Sequence, residues 1–226
     1  GKRSIGLNLA TPQGRDVLYK LVERSDVFLT SKLEATRRKL GFSVEDLRRA
    51  NPDVIYVKGS GHGERGPEGG TGGFDILDFW NRSGISLGTK AFEAEFLPFM
   101  PSSGYGDFTG AMYTVSGIAA ALFHRERTGE ALTVHASLLA AGMWTISGGI
   151  TQSALYEVPC HQEPAGYAVN PLVNTYRASD GTWICLACLQ AQDFWPDVCE
   201  VIDRPDLIDY DWYLPSNLVE GRPAAV

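Results

Sequence analysis

Cysteine is scarce in this chain: there are four in 226 residues, at Cys160, Cys185, Cys188 and Cys199. A secreted disulfide framework needs more of them, less bunched, so a reducing setting is the expectation. The pair Cys185-Leu186-Ala187-Cys188 has no second C-x-x-C and no histidine pair beside it to complete a zinc site. Its surroundings read as a strand, where residues three apart point to opposite faces, so structural, buried cysteines are expected and no metal. Long apolar runs are missing too, and a membrane helix needs about 20 such residues in a row. The start, Gly1-Lys2-Arg3-Ser4-Ile5, is basic but has no apolar stretch behind it, unlike a signal peptide. A basic excess is also absent, with 20 Lys and Arg against 27 Asp and Glu and a formal net charge of −7. That balance does not suit a general nucleic-acid binder, which must neutralise phosphates. The expectation is a soluble, cytoplasmic protein with neither nucleic acid nor membrane as partner. Two enzyme signatures are missing as well: the G-x-S-x-G elbow of serine hydrolases and the G-x-x-x-x-G-K-[ST] phosphate loop.

What is present is a core. Hydrophobic residues make up 44% of the chain and aromatics 11%, enough for one large domain or one domain with part of another. The first 60 residues alternate strand and helix. Ser4–Leu9 is a strand candidate, and Thr11-Pro12 supplies an N-cap and a first-turn proline for a helix reaching about Arg24. Asp26–Leu29 reads as a strand, and a short basic helix at Thr36–Leu40 is stopped by Gly41. Ser43-Val44-Glu45-Asp46 has the form of a capping box, opening a helix that Asn51-Pro52 ends, before the buried-type strand Val54–Val57. This rhythm predicts an α/β unit around a Rossmann-like parallel sheet. A loop with eight glycines spans 59–73. Helical spacing follows at Phe74–Arg82 and from Asp107 to about Arg127, with an irregular stretch, Leu87–Tyr105, between them. A brief strand at Thr133–His135 precedes one apolar helix from Ser137 to about Tyr156. From Asn174 the character changes: two strands flank an Asp180-Gly181 turn, and an amphipathic helix runs from about Gln192 to Ile202. The expected division is a large domain over 1–170 and the beginning of a smaller α+β domain over 171–226.

On the residues alone, the carboxylates and basic clusters have ordinary explanations. Asp107 beside Gly106 reads as a helix N-cap, and Asp75 as either a helix-start residue or a group that orients substrate. Arg37-Arg38-Lys39 reads as a solvated helix face. His62 lies in the glycine loop, close enough in sequence to approach a site there, whereas His124 and His135 read as structural or exposed.

An ordered series of segments nevertheless resembles the family III CoA-transferases, the group that holds formyl-CoA and carnitine CoA-transferases and 2-methylacyl-CoA racemases. Lys2-Arg3-Ser4-Ile5, Leu7 and Thr11-Pro12-Gln13-Gly14-Arg15 are similar to the family's N-K-R-S-I-x-L-D-x-K-T-P-E-G-R. Ser25-Asp26-Val27, Leu40-Gly41, Leu47 and Asn51-Pro52-x-Val54-Ile55-Tyr56 continue it at the family's spacings. Ser60-Gly61-His62-Gly63-x-x-Gly66-Pro67 resembles S-G-F/Y-G-x-x-G-P, and Phe74-Asp75, Gly106-Asp107 and Arg127-Thr128-Gly129 complete the series. The resemblance covers nearly the whole chain and is that of an interior stretch, so a fragment is expected, with an interlocked homodimer for complete members.

The resemblance implies a CoA-transferase that moves CoA from an acyl-CoA donor to an organic acid, with CoA as substrate and no metal. It makes Asp107 the acyl-accepting nucleophile, consistent with a carboxylate's capacity to form an anhydride and then a thioester, and puts Asp75 beside it. It implies CoA contacts at Leu7, Asn8, Leu9 and Ala10, at Ser31 and Lys32, at Lys39 with Arg38 next to it, at Lys58, and at Gly73 and Phe74. The alternatives are an acyl-CoA racemase or isomerase on the same fold, or a CoA-binding member without turnover. Family racemases have histidine where Phe74 stands, and phenylalanine moves no proton, which disfavours racemisation by that route. The sequence departs from the family at Thr30–Ala35, which replaces E-N-F-x-P-G. It departs again near Gly166–Pro171, where the closing loop of formyl-CoA transferases has more glycines.

Overall fold

In the computed structural model, residues 1–160 and 170–208 are described. They fall into two compact units, one of Gly1–Lys90 with Phe96–Cys160, the other of Ala91–Glu95 with 170–208. The expected glycine-poor loop near 166–171 lies largely outside the described residues.

The larger unit is built on three parallel strands in the order β1-β2-β3: β1 is Val27–Thr30, β2 Ile55–Ser60 and β3 Thr133–Ser137. The central strand is apolar because both its faces are covered. Val54 and Tyr56 face a cluster with Val22, Phe42 and Leu47, while Ile55 and Val57 face Ala121, Ile118 and Leu122. That alternation is what a sheet sandwiched between helices requires. Helix α1 (Pro12–Val22) leads into β1, and α2 (Glu34–Leu40) and α3 (Val44–Ala50) fill the crossover from β1 to β2. Their ends follow local rules. Thr11 accepts from the Gly14 N–H at 3.2 Å, and Ser43 and Asp46 form the reciprocal capping box. Gly41 ends α2 at φ +74°, a conformation that favours glycine. The Tyr56 hydroxyl donates to the Phe42 carbonyl at 2.6 Å, and burial pushes its phenol up to about 12, so it stays neutral.

The second crossover, from β2 to β3, carries the glycine-rich loop, a π-helix at Ile76–Arg82, short α4 (Ile85–Gly88) and the 24-residue α5 (Tyr105–Thr128). The α5 helix packs on β2 and β3, and Arg125 near its C-terminus binds the Asp53 carbonyl at 2.9 Å and Asp26 Oδ1 at 2.8 Å. A separate cluster of Phe79, Trp80, Ile85, Met100 and Ala141 joins the π-helix to α4 and α6 (Leu138–Thr145). In the smaller unit, antiparallel β4 (Val173–Arg177) and β5 (Trp183–Ala187) meet α8 (Ala191–Val201). Its own core is Leu172, Ala191, Trp195 and Cys199.

Four expectations need correction. Ser4–Leu9 forms no strand. Instead Asn8 turns the chain into α1, its side chain accepting from the Ala10 N–H and its carbonyl from Thr11, a local bond that competes with extended pairing. The expected single helix Ser137–Tyr156 breaks at Ile146 into α6 and α7 (Ser147–Tyr156), where Ser147-Gly148-Gly149 are weak helix formers. Cys185 is exposed, not buried, since β5 is covered on the Leu186 and Cys188 side only. Asp107 is not an N-cap. Gly104 takes that position and Asp107 sits within the first turn of α5.

Leu47 is fully buried in the cluster beneath β2. Leu47→Ala is expected to lower the unfolding free energy by about 2–5 kcal/mol, read as an earlier midpoint in urea.

Candidate active site

A cleft of about 720 Å³ opens at the carboxyl ends of the three parallel strands, where open α/β sheets hold their ligands. Its wall takes Ser31 after β1, Gly59-Ser60-Gly61 at the end of β2 and Ser137 at the end of β3. The opposite wall is one side of α5, from Asp107 through Gly110 and Thr114 to Ile118. Gly72 and Gly73, at the far end of the glycine loop, complete the lining.

Asp107 reaches this cleft because Gly106 lets α5 approach the π-helix. A Cβ on Gly106 would lie 2.6 Å from Phe79 Cβ and 2.8 Å from Asp75 Cβ, closer than side chains pack. The same approach brings the carboxylates of Asp75 and Asp107 within electrostatic reach. Asp75 accepts from the Ile76 N–H at 2.8 Å through Oδ1, and its Oδ2 is buried without a hydrogen-bond partner. Two influences oppose each other at Asp107. The helix N-terminus favours its ionised form, but burial first and the Asp75 charge second raise its pKa above the ordinary carboxylate value. The result is a carboxylate held less firmly in its charged form than a free aspartate.

A side pocket of about 200 Å³ adjoins the cleft, sharing Leu33, Gly59, Ser60 and Thr71, and includes Lys32, Arg37 and Glu64. Arg37, which the sequence placed in a solvated cluster, is buried at 4% exposure and donates to Glu64 at 2.5 Å. Lys58 donates to the other oxygen of Glu64 at 3.0 Å, and His135 lies 3.3 Å from it. Burial alone would raise the Glu64 carboxyl, but the bonds from Arg37 and Lys58 outweigh it and hold the group below its usual range. Lys58 is therefore paired with a carboxylate at the edge of the side pocket. Arg38 and Lys39 are exposed on α2, Arg38 pairing with Glu34 one turn away.

Among the other residues singled out from sequence, Ser31 and Gly73 line the cleft and Lys32 the side pocket. Leu7–Ala10 forms the turn into α1, with Leu9 packed against the cluster under β2. Phe74 is 74% exposed. Sequence reasoning missed Glu64 and Asp78, the first because a glutamate in a glycine loop looks solvated. The second had a signal: Asp78 follows Asp75 by three residues and sits in an otherwise apolar stretch. Among the described residues, no group of three His, Cys, Asp or Glu is placed to hold a metal, and no helix is long and apolar enough to cross a membrane.

The family model of CoA-transferase family III matches residues 1–220. An (R)-2-hydroxy-4-methylpentanoate CoA-transferase of Clostridioides difficile is 29% identical over 214 residues, 94% of this chain and 52% of that protein. Human alpha-methylacyl-CoA racemase is 32% identical over 199 residues, 85% of this chain and 50% of the racemase. The chain spans about half the length of the curated relatives it matches. The crystal structure of Rv3272 from Mycobacterium tuberculosis shares the fold, with a TM-score of 0.80 and 24% identity over 94% of this chain and 54% of that one.

Two outcomes follow from the charges. Asp75→Asn should lower the Asp107 pKa only part of the way to the ordinary value, since burial is the larger cause, as carboxyl NMR titration would read. Glu64, with its pKa lowered on folding, contributes stability that is complete above the unfolded carboxylate value, about 4.3, and is lost as pH falls through the folded one. Glu64→Gln should therefore flatten the acid limb of a plot of stability against pH.

Proposed function

Because the chain belongs to CoA-transferase family III, we propose that the protein moves CoA from an acyl-CoA donor to an organic-acid acceptor, with Asp107 as the covalent carrier. One observation carries this: an aspartate on the first turn of α5, in the cleft at the sheet's carboxyl ends, with its pKa raised by burial and Asp75. In the first step an Asp107 oxygen attacks the thioester carbonyl and the CoA thiolate leaves, giving a mixed anhydride. The thiolate then attacks the aspartyl carbonyl and releases the donor's carboxylate, leaving an aspartyl-CoA thioester. An acceptor carboxylate displaces CoA to form a second anhydride. Thiolate attack on its acyl carbon yields the new acyl-CoA and restores Asp107. Asp75, which has an unpartnered buried oxygen and a charge that reaches Asp107, orients the acid groups and keeps Asp107 from being over-stabilised as an ion.

Ser31 and Gly73 are assigned to CoA along the cleft and Lys32 to the side pocket, since those residues line the two spaces. Leu7–Ala10, Arg38, Lys39, Lys58 and Phe74 are assigned on the family resemblance alone. The CoA-binding and catalytic work belongs to residues 1–170, with 171–226 the beginning of a smaller domain, and a cytoplasmic homodimer is the working assembly. A racemase on this fold is the second reading, favoured by the 32% identity to the human racemase and opposed by Phe74.

The test is made on the protein as its gene encodes it. Acyl-CoA with hydroxylamine should leave a hydroxamate on Asp107, and Asp107→Ala should cut CoA transfer at least about a thousandfold. Unchanged transfer in that variant, with no adduct, contradicts the proposal. Exchange of the α-proton with deuterated water, without transfer to an added acid, supports the racemase instead.

A further inference from the structure

Asp78 has no part in the chemistry above, yet it is the only fully buried carboxylate among the described residues. It lies on the π-helix one turn beyond Asp75, with Oδ1 against Nδ1 of His62. Neither of its oxygens makes a hydrogen bond of ordinary geometry to another group. A carboxylate held this deep is costly unless it is paired, and the His62 imidazole is the side chain set against it. Arg82, one turn further along, lies 3.3 Å from that same nitrogen and is itself paired with Glu68.

The position of Asp78 is as informative as its burial. Its carboxylate sits where the two ends of the glycine loop meet. A Cβ on Gly61 would collide with Asp78 Oδ2 and lie 2.7 Å from the Gly73 Cα. A Cβ on Gly73 would do the same to Oδ2 and lie 2.9 Å from the Gly61 Cα. Both glycines line the cleft, Gly73 is two residues from Asp75, and the Gly61 carbonyl accepts from the Leu139 N–H at 2.9 Å. A loop with eight glycines between 59 and 73 has a large conformational entropy to lose. A clamp at its ends removes most of that freedom where it matters.

We propose that Asp78 is a positioning residue: acting through His62, it closes the glycine-rich loop on itself and thereby fixes the cleft wall and Asp75 opposite Asp107. The proposal rests on the cleft being the site of CoA transfer, but the clamp has a readout that needs no activity. In the protein as its gene encodes it, Asp78→Ala and His62→Phe should each speed amide hydrogen exchange at residues 61–63 and 72–75 by at least about tenfold. Each should also lower kcat while leaving KM for acyl-CoA within about twofold, and the double variant should lose no more than either single one, as partners in one interaction do. Asp78→Asn, which keeps a polar group of the same size against the imidazole, should recover most of the wild-type behaviour and serves where Asp78→Ala does not fold. Unchanged loop exchange in Asp78→Ala and His62→Phe, or losses in kcat that multiply in the double variant, would overturn the clamp. A wild-type protein with no CoA transfer but with the stated exchange behaviour contradicts the proposed function and leaves the clamp standing.

Discussion

The approach of the α5 backbone to the π-helix at Gly106 is the contact on which the rest of the site depends. With no side chain there, the first turn of α5 comes against Phe79 and the Asp75 Cβ, and Asp107 is delivered to the mouth of the sheet. Any larger residue would push the two helices apart and separate the carboxylates. Everything chemical about the site follows from that proximity: the raised Asp107 pKa, its coupling to Asp75, and a cleft wall made of helix on one side and strand ends on the other.

Around that contact the protein solves a second difficulty, a long loop rich in glycine that must nonetheless hold a shape. It is fastened at three places by polar side chains: Glu64 to Arg37 and Lys58, His62 to Asp78, and Glu68 to Arg82. These ties differ in worth. The exposed Glu68–Arg82 pair contributes little in water, whereas Arg37 and Asp78 are buried and breaking either pair leaves an unpaired charge behind. The glycines that make the loop flexible are also the ones that let its ends touch, so flexibility and closure come from the same residues.

Much of this was legible in the sequence, where local chemistry decides local structure. The capping box at Ser43, the Pro12 start, the Gly41 stop and the apolar run at 54–57 each name an element and its boundary, and the ordered family motifs bring Asp107 and Asp75 to notice. What stayed hidden depended on tertiary partners. Arg37 looks solvated until Glu64, 27 residues away, folds back on it, and the extended promise of Ser4–Leu9 fails because Asn8 forms a turn and no strand pairs with that segment among the described residues. The pairing of Lys58 with Glu64 was hidden because Glu64 lies on the loop, in a stretch with no periodic signal. Asp78 was visible as a charge in apolar company, but its meaning required knowing that Gly61 and Gly73 meet above it.

The proposed transfer requires covalent passage through Asp107, and isotope transfer tests that passage directly. If an acceptor acid labelled with oxygen-18 in both carboxylate oxygens is turned over with unlabelled acyl-CoA, its attack on the aspartyl thioester places one labelled oxygen in the bridging anhydride. Release of the new acyl-CoA then leaves that oxygen on Asp107, and in a single turnover the peptide carrying Asp107 should gain the mass of one oxygen-18. Turnover with no label in that peptide, or with label on another residue, would contradict the assignment of Asp107 as the carrier.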